Sequence, residues 1–321
     1  MNYIVLDLEW NQCPYGRENS VKEMPFEIIE IGAVRLDENL EKTGEFNRII
    51  RPQVYKELHY MTRQIVHISS KELENGDNFA DAMREFLDWC GNEYIYCTWG
   101  NMDLLELQRN MKFFGMGGIY TRPIKYLDIQ KLFSIAYEDG KQRRTLQYVA
   151  DYLKLDEEMT FHSALNDARY TARVIKHMDF RSVESRYSID CYNIPVNKKE
   201  EINVVFDTYS KYVSCGYESK DDMMKDKDIL SLVCHKCNKK CHKKIRWFSG
   251  NTKTYYALGI CNEHGYIKGK LRVKQAENGL FYVIKTCKHV DEEGAERIKG
   301  KQLLLREKRR QKRRRNSLKS E

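Results

Sequence analysis

Residues 3–12 read YIVLDLEWNQ. Residues 3–6 are an unbroken apolar run dominated by Ile and Val, which predicts a buried β-strand. The run ends in two carboxylates, Asp7 and Glu9. Ionised carboxylates are costly to bury unless something neutralises them. Side chains two apart on a strand share a face, so this pair projects together from the strand's C-terminal end. Sheets in α/β proteins tend to place their chemistry at such ends. Two hard oxygen ligands on one face suit Mg²⁺ or Mn²⁺. Taken alone, the D-x-E pair is equally compatible with a strand end facing solvent.

Outward from this strand, residues 1–180 alternate between strand and helix patterns. MNYIVLDLEW, EIIEIGAVRLDE and EKTGEFNRIIRP read as three successive strands of an antiparallel meander. DNFADAMREFLDWCGN has apolar residues at 79, 82, 83, 86, 87 and 90, which is helical spacing. EYIYCTWG reads as a strand and NMDLLELQRNMKFFG as a helix. IKYLDIQKLFSIAY starts extended and turns helical, and TLQYVADYLKL and SALNDARYTARVIKHM are two further helices. The expected fold class is therefore α/β with mixed sheet pairing. Residues 181–228 show no clear pattern. Residues 229–290, rich in Cys, Lys and short alternating runs, predict a second, small β-rich domain. Residues 291–321 form a basic tail, helical or disordered.

Composition narrows the function classes. The chain has 321 residues and is 41% hydrophobic, enough for one large domain and a smaller one. No apolar run approaches the ~20 residues of a membrane span. The N-terminus lacks a basic leader region, so no secretory signal is expected. The net charge is +8, with a local +10 over residues 297–321 (twelve Lys and Arg against two Glu), leaving about −2 for the rest. A near-neutral body with a basic tail favours polyanion partners. REKRRQKRRR would serve as a nuclear localisation signal in a eukaryote or a polyanion-binding arm in a bacterium. The abundance of Lys, Ile and Tyr favours the bacterial, cytoplasmic reading. Nothing in the sequence sets the oligomeric state.

Two more carboxylates and a histidine extend the D-x-E signal. In TWGNMDLLELQRN, Asp103 falls in the first turn of a helix for which Asn101 is a candidate N-cap. A capping role alone would also explain Asp103. In FHSALNDARYTARVI, Ser163 is a candidate cap, Asp167 lies one turn into the helix and His162 lies just outside it. From that loop position, His162 can face the same pocket as Asp167.

The ordered set Asp7, Glu9, Asp103, His162 and Asp167 resembles the DEDD exonuclease superfamily, in its histidine-bearing DEDDh subgroup. DLEW, EIIEIGAV, WGNMD and HSALNDARYTA carry the resemblance, which covers roughly residues 1–180 without departure at the five positions. It is closest to the RNA-trimming, KapD-like and 3′ histone-mRNA-exonuclease-like branch. The resemblance implies an RNase H-like fold and 3′→5′ hydrolysis of single-stranded RNA or DNA ends, with two Mg²⁺ or Mn²⁺ ions. It implies that Asp7 bridges both ions, that Glu9 and Asp167 complete one site, and that Asp103 supports the other. His162 would take a proton from the attacking water. Met61 would border the 3′-terminal base by the same analogy, though a core methionine fits equally well. Glu30 is a weaker, supporting candidate. A DNA proofreading-type exonuclease would use the same residues. A silent nucleic-acid-binding scaffold would not need all five.

The second domain carries its own signal. Cys234 and Cys237 in CHKC, and Cys261 and His264 in CNEH, form two short knuckles separated by 23 residues. Four such ligands suit one tetrahedral structural Zn²⁺, in a zinc-ribbon-like module whose intervening hairpin turns at SGN. Cys241 and His242 are competing ligands. In YIKGKLRVK, Lys268, Lys270, Arg272 and Lys274 alternate with Ile267, Gly269, Leu271 and Val273, giving one basic and one mostly apolar face. With Trp247, Phe248, Tyr255 and Tyr256 nearby, this strand would suit phosphate contacts and base stacking. A solvated strand with its aromatics in the core is the competing reading.

Overall fold

The computed structural model describes residues 1–155 and 160–317. It divides into two compact units, Met1–Tyr192 and Asn193–Glu321. Among the described residues no helix is long and apolar enough to cross a membrane.

The first unit is built on a six-stranded sheet of β1 (Asn2–Gln12), β2 (Phe26–Leu36), β3 (Lys42–Ile49), β4 (Tyr94–Thr98), β5 (Ile124–Asp128) and β6 (Ser188–Asp190), ordered β3-β2-β1-β4-β5-β6. The first three strands form the expected meander, β4 and β5 run parallel to β1, and β6 is antiparallel at the edge. The Tyr3–Leu6 stretch of β1 is apolar because helices cover both its faces. Ile4, Leu6 and Leu8 pack with Phe79, Met83 and Phe86 of the helix Phe79–Cys90 and with Leu104, Leu107 and Met111 of the helix Met102–Phe113. Tyr3 and Val5 pack on the opposite face with Phe133, Val149, Tyr170 and Val174, from the helices Ile129–Tyr137, Leu146–Tyr152 and Ala164–His177. The period of two continues the Tyr3–Val5 face into Asp7 and Glu9. The carboxylates thus point toward the side covered by Ala164–His177.

One irregularity shapes the end of β1. Glu9 pairs with Glu30 but Trp10 pairs with Ile28, so Ile29 is an extra residue on β2. Ile29 is fully buried and joins Val66 and Leu73 in a small satellite core. Beyond the end of β3 the β2 backbone needs other partners. Buried Asn110 supplies them: Ile28 N donates to its Oδ1 at 3.0 Å, and its Nδ2 donates to Phe26 O at 2.9 Å.

The second unit holds an antiparallel sheet of β7 (Ile202–Val205), β8 (Tyr209–Val213), β9 (His242–Ser249), β10 (Thr254–Cys261), β11 (Gly265–Gln275) and β12 (Phe281–His289), ordered β7-β8-β12-β11-β10-β9. β7, β8 and two short helices come from the patternless stretch 181–228. The inner face carries Ala257, Ile267, Leu271, Val273 and Val283, packed with Met223, Ile229 and Leu232. Gly269 is required there, since a Cβ would come within 2.4 Å of Leu232 and 2.7 Å of Trp247. The basic tail is the helix Glu292–Ser317, and residues 318–321 lie outside the described residues.

Trp247 and Tyr255 pack into the inner core clusters, and the Trp247 Nε1–H donates to Leu230 O. Phe248 packs on the opposite face beside Ile245, Leu258, Ala295 and Ile298. This corrects the expectation of exposed stacking aromatics, because strand alternation points every second side chain into a core.

Candidate active site

Three elements bring the five residues together. β1 delivers Asp7 and Glu9. The start of the helix Met102–Phe113 delivers Asp103, which is buried, and the Leu8 N–H donates to its carboxylate. Asn101 occupies the N-cap position but its side chain makes no capping bond, so Asp103 takes a backbone N–H of its own turn instead. The start of the helix Ala164–His177 delivers Asp167, and the preceding loop delivers His162. The His162 N–H donates to Asp167 Oδ2 at 3.3 Å, and His162 holds a left-handed φ of 69°. Such a φ is strained for a non-glycine residue. The ligand atoms of Glu9, His162 and Asp167 lie within 4.8 Å of one another.

The helix reaches this position through two features of β2. Gly32 pairs with Asp7 across the ladder. A Cβ on Gly32 would fall 2.1 Å from the backbone of Ala164 and Leu165, so only glycine lets the helix start lie against the strand. Two residues earlier, the Glu30 carboxylate caps that helix. Ala164 N donates to its Oε2 at 3.0 Å and Ser163 Oγ donates to its Oε1 at 3.2 Å. Ser163 therefore stands at the N-cap, but its hydroxyl serves Glu30 and makes no cap bond itself. A negative group at a helix N-terminus is favourable.

The site is electrostatically unbalanced. Burial, then the neighbouring Asp103, Asp167, Glu9 and Glu30 charges, hold the Asp7 carboxyl well above its usual range. Burial and the Asp167, Glu30 and Asp103 charges push Glu9 up to about 8. Burial raises Asp103 to about 7, opposed by its backbone bonds and aided by Asp128 and Asp167. Burial likewise raises Asp167 to about 6. Asp167 Oδ1 is buried without a hydrogen-bond partner. Converging hard oxygens, one of them orphaned, fit a divalent cation better than they fit each other.

Met61 is 46% exposed, which excludes the core reading. It sits in the first turn of the helix Tyr60–Ile65, anchored to β1 through His59. His59 N donates to Asn11 Oδ1, and Gln12 Nε2 and Met61 N both reach His59 Nδ1. Buried Glu27 pins the loop before it, accepting from the N–H groups of Gln53, Val54 and Tyr55 at 2.6–2.9 Å. Glu27, Gly32 and Asp128 were not singled out from sequence. Two of them were visible as a charge and a glycine inside an apolar strand. Asp128 caps the helix Ile129–Tyr137 and adds its charge beside Asp103.

A family model described as exonuclease, RNase_T, matches residues 4–175. The chain belongs to this exonuclease family. Its constellation is of the family's DEDDh type. The chain is 29% identical over 182 residues to the probable 3′-5′ exonuclease KapD of Bacillus subtilis (strain 168), covering 54% of this chain and 82% of KapD. It is 23% identical over 172 residues to 3′-5′ exoribonuclease 1 of Rattus norvegicus, covering 50% of this chain. It spans about half (49%) of that relative's length. Among solved structures it is similar to the nuclease domain of 3′hExo, a DEDDh family member, bound to rAMP. That likeness has 20% identity and a TM-score of 0.47, covering 59% of this chain and 96% of the other.

In the second unit, the ligand atoms of Cys234, Cys237, Cys261 and His264 also lie within 4.8 Å of one another. Burial opposes ionisation of Cys261, yet the Glu263 N–H and the His264 ring bring its thiol down to about 6. Three thiols and an imidazole on two knuckles suit a tetrahedral soft cation. Cys241 turns its thiol to Lys239 O and His242 is exposed on β9, so neither joins the four. His289 was not anticipated: its Nε2 lies 3.4 Å from Cys234 Sγ. Its place comes from the β11–β12 register, which sets His289 opposite Ile267.

Proposed function

We propose that this chain is a metal-dependent 3′→5′ exonuclease that removes nucleotides from single-stranded RNA ends. The observation that carries the reading is that Glu9, His162 and Asp167 bring their ligand atoms within 4.8 Å of one another at the end of β1, with the buried carboxylates of Asp7 and Asp103 beside them. Membership of the exonuclease family supports it, and relatives named as exoribonucleases favour RNA. Asp7, Glu9 and Asp167, with Asp103 in support, would hold two Mg²⁺ or Mn²⁺ ions. Bound there, the ions would supply Lewis-acid stabilisation of the phosphoryl oxygens and leaving alkoxide. His162, exposed at the mouth and tied through its N–H to Asp167, would accept the proton of the attacking water. Met61 would pack against the terminal base. In the second unit, Cys234, Cys237, Cys261 and His264 would hold one structural Zn²⁺.

The test uses matched RNA and DNA strands labelled at the 5′ end, with Mg²⁺ and then with EDTA. The reading expects stepwise shortening of the RNA from its 3′ end, faster than of the DNA, stopped by EDTA. Faster digestion of DNA would replace RNA trimming with a proofreading-type activity, and no digestion of either strand would overturn the nuclease reading.

A further inference from the structure

The outward face of the second sheet is loaded with unpaired positive charge. On β11, Lys268, Lys270 and Arg272 stand opposite Leu258, Tyr256 and Thr254 of β10. On the other side, Lys268 stands directly opposite Lys288 of β12, and Lys270 opposite Thr286. Like charges directly opposed across a ladder are destabilising. Among the described residues, no carboxylate forms an ion pair with Lys268, Lys270, Arg272, Lys274 or Lys288. Burial and the nearby Arg272, Lys268 and Lys301 charges hold the Lys270 ammonium below its ordinary range.

The C-terminal helix makes this face a shelf with a wall. Ala295 and Ile298 pack with Ile245, Leu258 and Tyr266, seating the start of the helix against β10 and β11, while Lys268 and Lys270 stay half-buried and Arg272, Lys274 and Lys288 stay exposed. Further along, Lys301 Nζ lies 3.8 Å from the Tyr256 ring centroid, with Lys268 Nζ at 5.8 Å from the same ring. Arg309 donates to Ser249 O at 2.6 Å, near the end of the hairpin. Tyr256 thus sits between a cation on the helix and cations on the strand. Uncompensated charge held in place by packing, at a standing cost in repulsion, fits a polyanion that relieves it.

We propose that the shelf formed by Lys268, Lys270, Arg272, Lys288, Lys301 and Tyr256 binds the phosphate backbone of a single-stranded nucleic acid. The proposal rests on the nuclease reading for the identity of the polyanion. It assigns the second unit the task of holding the strand whose 3′ end the first unit shortens. Tyr256 acts as a positioning residue, keeping Lys301 beside the β11 lysines.

The experiment measures binding of a long single-stranded RNA to the full chain carrying Asp7→Asn, so that cleavage does not enter. Added Lys268→Gln and Lys270→Gln should weaken binding at low salt at least tenfold. They should also flatten the slope of log affinity against log salt by about 1.4, from ~0.7 per cation on a single strand. Tyr256→Ala should weaken binding while Tyr256→Phe keeps it, since the phenyl ring alone can hold Lys301. In the otherwise native chain, the lysine changes should raise KM for long RNA and leave dinucleotide hydrolysis unchanged. Unchanged affinity and salt slope in the double variant would overturn the proposal. So would equally tight binding to vesicles containing phosphatidylglycerol. Because binding is read without turnover, an inactive enzyme that still binds through the shelf would sink the nuclease reading and leave this one standing.

Discussion

Gly32 and Ala164 meet backbone to backbone, so closely that a Cβ on Gly32 would lie 2.1 Å from the Ala164 carbonyl carbon. Because Gly32 pairs with Asp7, this contact couples the position of the helix bearing Asp167 to the strand bearing Asp7. Gly32→Ala should push the helix start away and lower activity about 100-fold, as displacements near 1 Å at a reacting site do. The overpacking should cost about 1–3 kcal/mol of stability. Steady-state rates and thermal melting would check both, and wild-type activity would show that the helix position is not critical.

Glu30 is a cap whose loss should be felt at the site. Glu30→Ala removes the acceptor for Ala164 N–H and should cost about 1 kcal/mol. Asp167 then loses its fixed position and the rate should fall. Glu30→Gln keeps an acceptor and should recover most of the stability. Equal melting of wild type and Glu30→Ala would show that the capping bond is energetically silent.

The raised carboxyls give a signed pH dependence. Glu9 at about 8, Asp103 at about 7 and Asp167 at about 6 all bind protons more tightly folded than at their ordinary values of 4.5, 3.8 and 3.8. Their contribution to stability is full below those ordinary values and is lost as pH rises through about 6 to 8. The metal-free protein should therefore melt at lower temperature at pH 8 than at pH 6. Mg²⁺ binds the ionised, folded site and should reverse that loss. Melting curves in EDTA and in Mg²⁺ across this range would check it, and a metal-free midpoint that rises with pH would contradict it.

Removing one of the mutually repelling carboxylates should stabilise the empty site while abolishing its chemistry. Asp7→Asn should melt at or above the wild-type temperature in EDTA, gain no stability from Mg²⁺, and lose activity. A variant that Mg²⁺ still stabilises as much as wild type would count against Asp7 as a ligand.

One zinc per chain is expected on Cys234, Cys237, Cys261 and His264. Cys234→Ser should lose it and destabilise the second unit, by elemental analysis and hydrogen exchange of β10 and β11. Full zinc content in that variant would move the site elsewhere.

Much of this was legible because spacing is local. D-x-E on a strand, an aspartate in the first turn of a helix and H-x4-D across a helix start each lie within a few residues of chain. What joins the elements was not. That Gly32 must be glycine follows from which helix lies against it, and that Glu30 caps Ala164 follows from a pairing 134 residues apart in the chain. Alternation in YIKGKLRVK showed that one face is basic, but not that Trp247 and Tyr255 turn inward while Tyr256 turns outward. β7 and β8 are only four and five residues long, too short to show a pattern by themselves, and they take shape as strands where β8 pairs with β12 and β7.

The central claim is that four acidic side chains jointly hold divalent cations. Mn²⁺ binding to the full chain, followed by electron paramagnetic resonance, tests it most directly. Two ions displaceable by Mg²⁺ are expected in wild type, fewer in Asp103→Asn, and none bound tightly in Asp7→Asn. Equal Mn²⁺ binding by wild type and Asp7→Asn, or no binding by wild type, would contradict it.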